Sequence, residues 1–486
     1  MLIATHTIQT DTGNEQIYNG MDACLTHEIF STLTAQAPAA APAYGFELAL
    51  QAPVLEMMLR GFRIDPGARE LAINDTKTKL ARLDHIIDAL AHAIWNKGLN
   101  PNSGMQLKEL FYGHLGVNEI LTWEKGELKA KMDRTVIEQI ADYFQARAIA
   151  TAVCDWRDWT KQLQVLETEV DKDWRMRTSY NIGGTNEGRF SSSSSPTGTG
   201  GNLQNIAKSL RHIFVPDPGH VLVGVDAEQS DSRMVGYMCG LLFDDWTYLD
   251  ACESGDLHTF VARLVWTDLA WTGDMKKDRA IADQVFYRHF TRRDVCKRLG
   301  HGTNFLGKAP TMSRFSHTPL ELVKSFIERY LTAFPALSKW HAWTAGQLQT
   351  HHQLTSIHGR KRDFFDRSSD DETIRKGLAF LAAAATADNI NLGMWKIWRH
   401  MPEVQILAQV HDAVYFQFPI ELGAENVIPR AQKLLELPLT APNGRRFIVP
   451  TEAKYGFNWG DYEPPDPLTG RPEKNPLGLR KFKPAH

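Results

Sequence analysis

The chain has 486 residues, 43% hydrophobic and 23% charged, with a formal net charge of −3 and a pI near 6.7. That is ordinary globular composition, long enough for two or three domains with real cores, and it excludes a globally basic nucleic-acid binder: any such surface must be local. Five cysteines without a CxxC pair argue against a zinc site and fit a reducing, cytoplasmic setting, and no stretch reads as a secretory signal or membrane span.

Residues 1–34 read as short and partly helical, and Ala35–Ala43 as a Pro/Ala linker. From Glu47 to about 165, helical patterns dominate. Val54–Gly61 predicts a helix ending at Gly61, and Asn100–Leu107 a capped helix start. Ser191–Ser195 followed by Pro196–Gly201 is low-complexity and reads as a mobile loop. The run His220-Val-Leu-Val-Gly-Val-Asp226 predicts a buried strand with a carboxylate at its end. Helices are expected from about 243 to 350. Among them, Arg293, Lys297, His301 and Phe305 recur at steps of four, one row on a helix face. Two cations, an imidazole and an aromatic ring suit a triphosphate at one end and a base at the other. Basic stretches occur at Arg288–Arg298, Arg360–Arg362 and Leu479–Lys483. An Ala-rich helix is expected from Ile374 to about His400, its alanine face buried. Ile406–Asp412, resuming as Ala413–Phe418, reads as strand, His-Asp turn, strand.

An aspartate ending a strand is ordinarily only a turn residue. Two on neighbouring strands, however, can hold two divalent cations that clamp the attacking and leaving oxygens of a phosphoryl transfer. A nuclease uses the same pair, but it has no triphosphate for the basic row to grip.

Several ordered motifs resemble those of family A DNA polymerases, the bacterial DNA polymerase I type that many phages also encode. Asp226-Ala-Glu-Gln-Ser-Asp-Ser-Arg233 resembles motif A, Arg293 with Lys297 and the residues after it motif B, and Gln409-Val-His-Asp412 motif C. Thr185–Ser192 with Asn202–Ile206, Gly255–His258 and Thr355–Arg362 resemble further family segments in the same order. The resemblance implies an α+β right-hand fold, with an antiparallel palm sheet and helical fingers and thumb. It implies an exonuclease-domain remnant and linker at 1–44, thumb at 45–165, palm at 166–242 and 371–486, and fingers at 243–370. The implied activity is template-directed addition of dNTPs to a primer 3′-hydroxyl, in phage or bacterial DNA replication. Asp226, Asp412 and the Ala227 carbonyl would hold two Mg²⁺ ions, with Mn²⁺ as a substitute, and Lys297 would protonate the leaving group. Arg293, Lys297, His301, Phe305, His258, Asp231 and Gln229 would meet the dNTP. Arg189, Gln204, Asn205, Arg375 and His411 would meet primer–template DNA.

The chain also departs from the family. Asp231 stands where the family carries a Glu that excludes ribonucleotides, one methylene shorter. His301 and Phe305 replace the usual Phe/Tyr and Tyr, and Leu306 replaces a Gly. Ala379 and Ala383 replace polar residues that contact template and minor groove, and Ala413 follows Asp412 where Glu is frequent. Tyr18 and Asp22 resemble the YxxxD element of the family's 3′–5′ exonuclease. They imply a remnant, with residues 1–34 as the docking surface for a separately encoded exonuclease. Alternative readings are a repair or translesion polymerase, and a catalytically weak DNA-binding replication factor.

Overall fold

A computed structural model describes residues 11–36, 41–124, 127–195, 198–287, 290–465 and 472–483. At its centre is a five-stranded antiparallel sheet. Its middle strand is β3 (His220–Ala227), preceded in the chain by the hairpin of β1 (Thr178–Asn181) and β2 (Ser191–Ser194). On one side of β3 lies the hairpin β6 (Gln405–Val410) and β7 (Ala413–Pro419); on the other lie β8 (Thr451–Gly456) and β9 (Arg480–Lys481). The order is β6-β7-β3-β8-β9. Between β2 and β6, the hairpin β4 (Gln353–Thr355) and β5 (Lys361–Asp363) stands apart from this sheet.

Alternation along β3 separates two chemistries. Val221, Val223 and Val225 face an apolar core with Val414, Phe416 and Phe418 of β7. Ile390, Met394 and Ile397 of the long helix Asp371–His400 close it, together with Ile428 and Ala431 of the helix Ala424–Leu435. The opposite face carries Asp226 and Gly224, registered with Ala413 and Tyr415 on β7 and with Glu452 and Lys454 on β8. Gly224 is required there, since a Cβ would sit 2.6 Å from the Tyr415 ring.

The helices used below are, in chain order, α1 (Asp11–Gln36), α2 (Ala41–Arg60), α3 (Pro66–Trp95), α4 (Arg147–Glu167), α5 (Ser230–Phe243), α6 (Leu257–Val265), α7 (Arg292–Asn304), α8 (Asp371–His400) and α9 (Ala424–Leu435), with others between them, Leu320–Ala333 and Pro335–His351 included. α3 and α4 enclose a separate core containing Ile87, Leu107, Phe111, Val136 and Ile149. Another large core, including Leu257, Leu299, Phe326, Trp340 and Phe380, unites α6 and α7 with the start of α8. α2 stops at Arg60 and Gly61 takes φ +62°, the left-handed stop expected there. Ser103 caps the short helix Gly104–Lys108 by accepting from the Gln106 N–H. The alanines at 382–385 on α8 are buried, so this helix packs closely against its neighbours.

Three expectations need correction. Ala35 and Gln36 belong to α1 and Ala41–Ala43 begin α2; the middle of the expected linker, 37–40, lies outside the described residues. Alanine's helix propensity outweighs the punctuation, because Pro42 sits in a first turn that needs no N–H from it. Ser191–Ser194 is no loop but β2, paired residue for residue with β1. The Arg360–Arg362 stretch is no free basic patch: Arg360 is held by Asp388 and Glu47, and Arg362 by Glu187.

Candidate active site

The open face of the sheet floors a cleft of about 1200 Å³, roofed by α6 and α7. Of the residues singled out in the sequence, Asp226, Ala227, Gln229, Asp231, His258, Lys297, His301, His411 and Asp412 line it. Arg189, Gln204, Asn205, Arg293, Phe305 and Arg375 do not.

The two aspartates meet because β7 pairs with β3. Asp412 is the second residue of the two-residue turn between Val410 and Ala413, and Ala413 is registered with Asp226. The Ala227 N–H donates to the Asp412 carbonyl at 3.1 Å, which ties the turn to the end of β3. His411 takes φ +55°, a strained choice for a residue with a Cβ. A hydrogen-bonded chain holds it: Gln204 donates to Gln409, and Gln409 Nε2 donates to the His411 carbonyl at 2.5 Å. Gln204 therefore buttresses the turn, with Ser192 and Asn202 behind it.

Burial, then the Asp412 charge, pushes the Asp226 carboxyl above the ordinary range. Asp412 is raised by burial and by Asp231, against the opposing pull of Arg189 and a hydrogen bond from Ser230. Ser230 Oγ donates to Asp412 Oδ2 at 2.8 Å. Arg189 Nη2 lies 3.6 Å from Asp412 Oδ1 and 3.5 Å from Asp231 Oδ1. Gln229 enters α5 with φ +52°, and its buried Oε1 has no hydrogen-bond partner among the described residues.

Above this floor, α7 starts with a reciprocal cap between Thr291 and Asp294. Lys297 and His301 are exposed on α7, and Lys297 has no ion-pair partner among the described residues. The row of four is only partly helical. α7 ends at Asn304, and Phe305 is its C-cap, edge-on to His301 at 4.9 Å and packed towards Trp340. Arg293 turns away from the cleft, and its Nε donates to Asp256 Oδ2 at 2.9 Å. Asp256 also caps α6 through Thr259. Burial alone would raise the Asp256 carboxyl, but hydrogen bonds from Arg293 and Thr259 reverse that and lower it. His258, the second residue of α6, is pushed down to about 4 by burial and then by Arg293, so its imidazole is neutral at pH 7. Arg375 lies in the second turn of α8 and Asn205 is exposed beyond the turn's buttress.

Sequence reasoning missed Ser230, Gln409 as a buttress, Asp256 as the holder of Arg293, and Thr386, which donates to Asp231 at 3.0 Å. Only Thr386 carried a local signal, as the one hydroxyl in Ala382–Ala387. Asp226 and Asp412 are a carboxylate pair, not a ready-made cage: among the described residues no group of three or more His, Cys, Asp or Glu is placed to hold a metal. No described helix is long and apolar enough to cross a membrane.

Comparison with known proteins gives a consistent lineage. The chain is 25% identical over 437 residues to a thermostable DNA polymerase I of Thermus aquaticus, covering 85% of this chain and 47% of that protein. A DNA polymerase I of Helicobacter pylori (strain J99) is 24% identical over 411 residues, covering 80% and 41%. The chain thus spans about half the length of the curated relatives it matches. Its fold is similar to the POL domain of Pol1 from M. smegmatis, solved in complex with DNA primer-template and dNTP. The TM-score there is 0.69 at 20% identity, covering 85% of this chain and 70% of that one. The family model for DNA polymerase family A matches residues 71–461, a span that takes in both aspartates, the α7 row between them and the buttressed turn. With that span matched end to end, the chain belongs to DNA polymerase family A.

Proposed function

We propose that this chain is a template-directed DNA polymerase that adds dNTPs to a primer 3′-hydroxyl by two-metal phosphoryl transfer. The observation that carries the reading is the paired Asp226 and Asp412 on the cleft floor, beneath a helix whose Lys297 has no ion-pair partner among the described residues. In this reading residues 45–165 act as thumb, 166–242 and 371–486 as palm, and 243–370 as fingers. The setting is phage or bacterial DNA replication in the cytoplasm; repair and translesion synthesis use the same chemistry.

The donor set fits a hard divalent cation. Two carboxylates raised above the ordinary range by burial, and then by a neighbouring acid (Asp412 beside Asp226, Asp231 beside Asp412), are stabilised by bound positive charge, and oxygen ligands favour Mg²⁺, with Mn²⁺ as a substitute. Asp226, Asp412 and the Ala227 carbonyl would hold the ions. When bound, the ions make the 3′-hydroxyl more acidic and neutralise charge on the triphosphate. The chain's own residues supply the remainder. Lys297 neutralises phosphate and gives a proton to the departing pyrophosphate. Neutral His258 offers a hydrogen bond on the phosphate side without adding charge. Arg293, held by Asp256, orders the junction of α6 and α7 and reaches phosphate only by leaving that pair. His301 and Phe305 meet the base, and Asp231 and Gln229 meet the sugar side. Arg189 and His411 face the primer terminus, while Gln204, Asn205 and Arg375 lie along the template–primer path.

Primer extension with Mg²⁺ and separate dNTP and rNTP arms tests the reading. Extension with dNTPs, copied from the template, is the expected result. Tight duplex binding with no extension would leave a DNA-binding replication factor instead.

A further inference from the structure

A helical threonine ordinarily donates its hydroxyl to the carbonyl four residues back. Thr303 does so to Leu299 at 2.8 Å, and Thr76 to Ala72 at 2.7 Å. Thr386 does otherwise. Buried to 1% in the middle of α8, it donates to Asp231 Oδ1, across the boundary between α8 and α5, at 3.0 Å. Asp231 lines the cleft with a quarter of its side chain exposed (26%). Its other protein partner is Arg189 Nη2, at the longer distance of 3.5 Å on the same oxygen. Among the described residues no tyrosine hydroxyl bonds this carboxylate: those of Tyr248 and Tyr330, which line the cleft, meet each other and Asn304.

We propose that Thr386 is the positioning residue for sugar selection, because its hydroxyl fixes the Asp231 carboxylate where the sugar of the incoming nucleotide would lie. The proposal rests on Asp231 acting at that sugar, as read above. An aspartate has few rotamers, but this one stands between a threonine and an arginine that itself reaches towards Asp412. Without the threonine donor the carboxylate is drawn to Arg189 and away from the floor of α8. Selection then relies on a side chain held from one side only. Thr386 touches neither substrate nor metal in this scheme; it acts through Asp231.

The test compares kcat/KM for a dNTP and its matching rNTP in the full chain and in Thr386→Val, Thr386→Ser, Asp231→Ala and the Thr386→Val/Asp231→Ala double variant. Thr386→Val keeps the shape and removes the donor; its discrimination should fall about tenfold, the scale of a lost hydrogen bond to a charged group. Thr386→Ser should restore it, and the double variant should discriminate no worse than Asp231→Ala alone. Should Thr386→Val fail to fold, Thr386→Ala, which leaves room for water at the carboxylate, is read in the same way. Unchanged discrimination in a folded Thr386→Val, or an equal loss for dNTP and rNTP, overturns the proposal while Asp231→Ala still relaxes selection. If Asp231→Ala itself leaves selection unchanged, the underlying reading of Asp231 falls, and the proposal with it.

Discussion

Single side chains of the proposed site come at a cost to the fold. Asp412 is more basic folded than unfolded, so its ionised form opposes folding. That penalty is absent below the unfolded value near 3.8 and grows as pH rises through the raised folded value. Asp412→Asn should therefore abolish primer extension, by several orders of magnitude in rate, yet melt no lower than the parent at pH 7 in metal-free buffer. A thermal melt at pH 7 and at pH 4 checks the sign, since any gain should shrink at the lower pH. Near-normal extension by this variant would sink the assignment of Asp412. Lys297, exposed and without an ion-pair partner among the described residues, should matter to the nucleotide and little to the duplex. Lys297→Ala is expected to weaken dNTP binding by about ten- to a hundredfold with duplex affinity nearly kept. Equal losses in both titrations would mean that α7 is merely a basic helix. These residues were legible because each motif fixes a residue type at a fixed spacing. Thr386 and Ser230 were not, because their meaning lies in partners 155 and 182 positions away.

At the scale of elements, one buried hub decides where several of them sit. Arg360, after the β4 strand, makes a forked contact with Asp388 of α8 and a further one with Glu47 of α2. Gly188 packs on the guanidinium so closely that a Cβ would lie 2.5 Å from it, and its carbonyl accepts from Asn391 of α8. The hub thus fixes the backbone that carries the next residue, Arg189. Removing one member leaves a buried charge unpaired, so Arg360→Ala should cost about 3–5 kcal/mol in a denaturant titration. A loss within about 0.5 kcal/mol would put Arg360 among ordinary surface cations. Strands and long helices were readable here, since apolar runs and the alanine face announce themselves. The hub was not: Gly359-Arg-Lys-Arg362 looks the same in sequence whether its cations face a polyanion or a buried aspartate.

Across the whole molecule, half-buried histidines weigh against stability in acid. Burial holds His258, His341 and His358 below the ordinary histidine value, so folding favours their neutral forms. Their contribution is complete above the unfolded value near 6.5 and is lost as pH falls towards the folded values, which for His258 is about 4. Melting temperature should drop between pH 7 and pH 5, and His258→Gln should flatten that slope; an unchanged slope would exonerate His258. The strand order of the sheet was beyond the sequence, because nothing local says that β3 lies between β7 and β8. That placement bears on how the protein is made. β3 leaves the ribosome with both hydrogen-bonding edges bare, and the partners that cover them, residues 413–419 and 451–456, are translated only after the whole of α5 to α8. For that interval the nascent chain displays an unpaired valine-rich ribbon, the kind of edge that recruits chaperones or aggregates. The proposed catalytic pair is thus among the last features to form, and a chain released early from the ribosome would carry Asp226 without its partner Asp412.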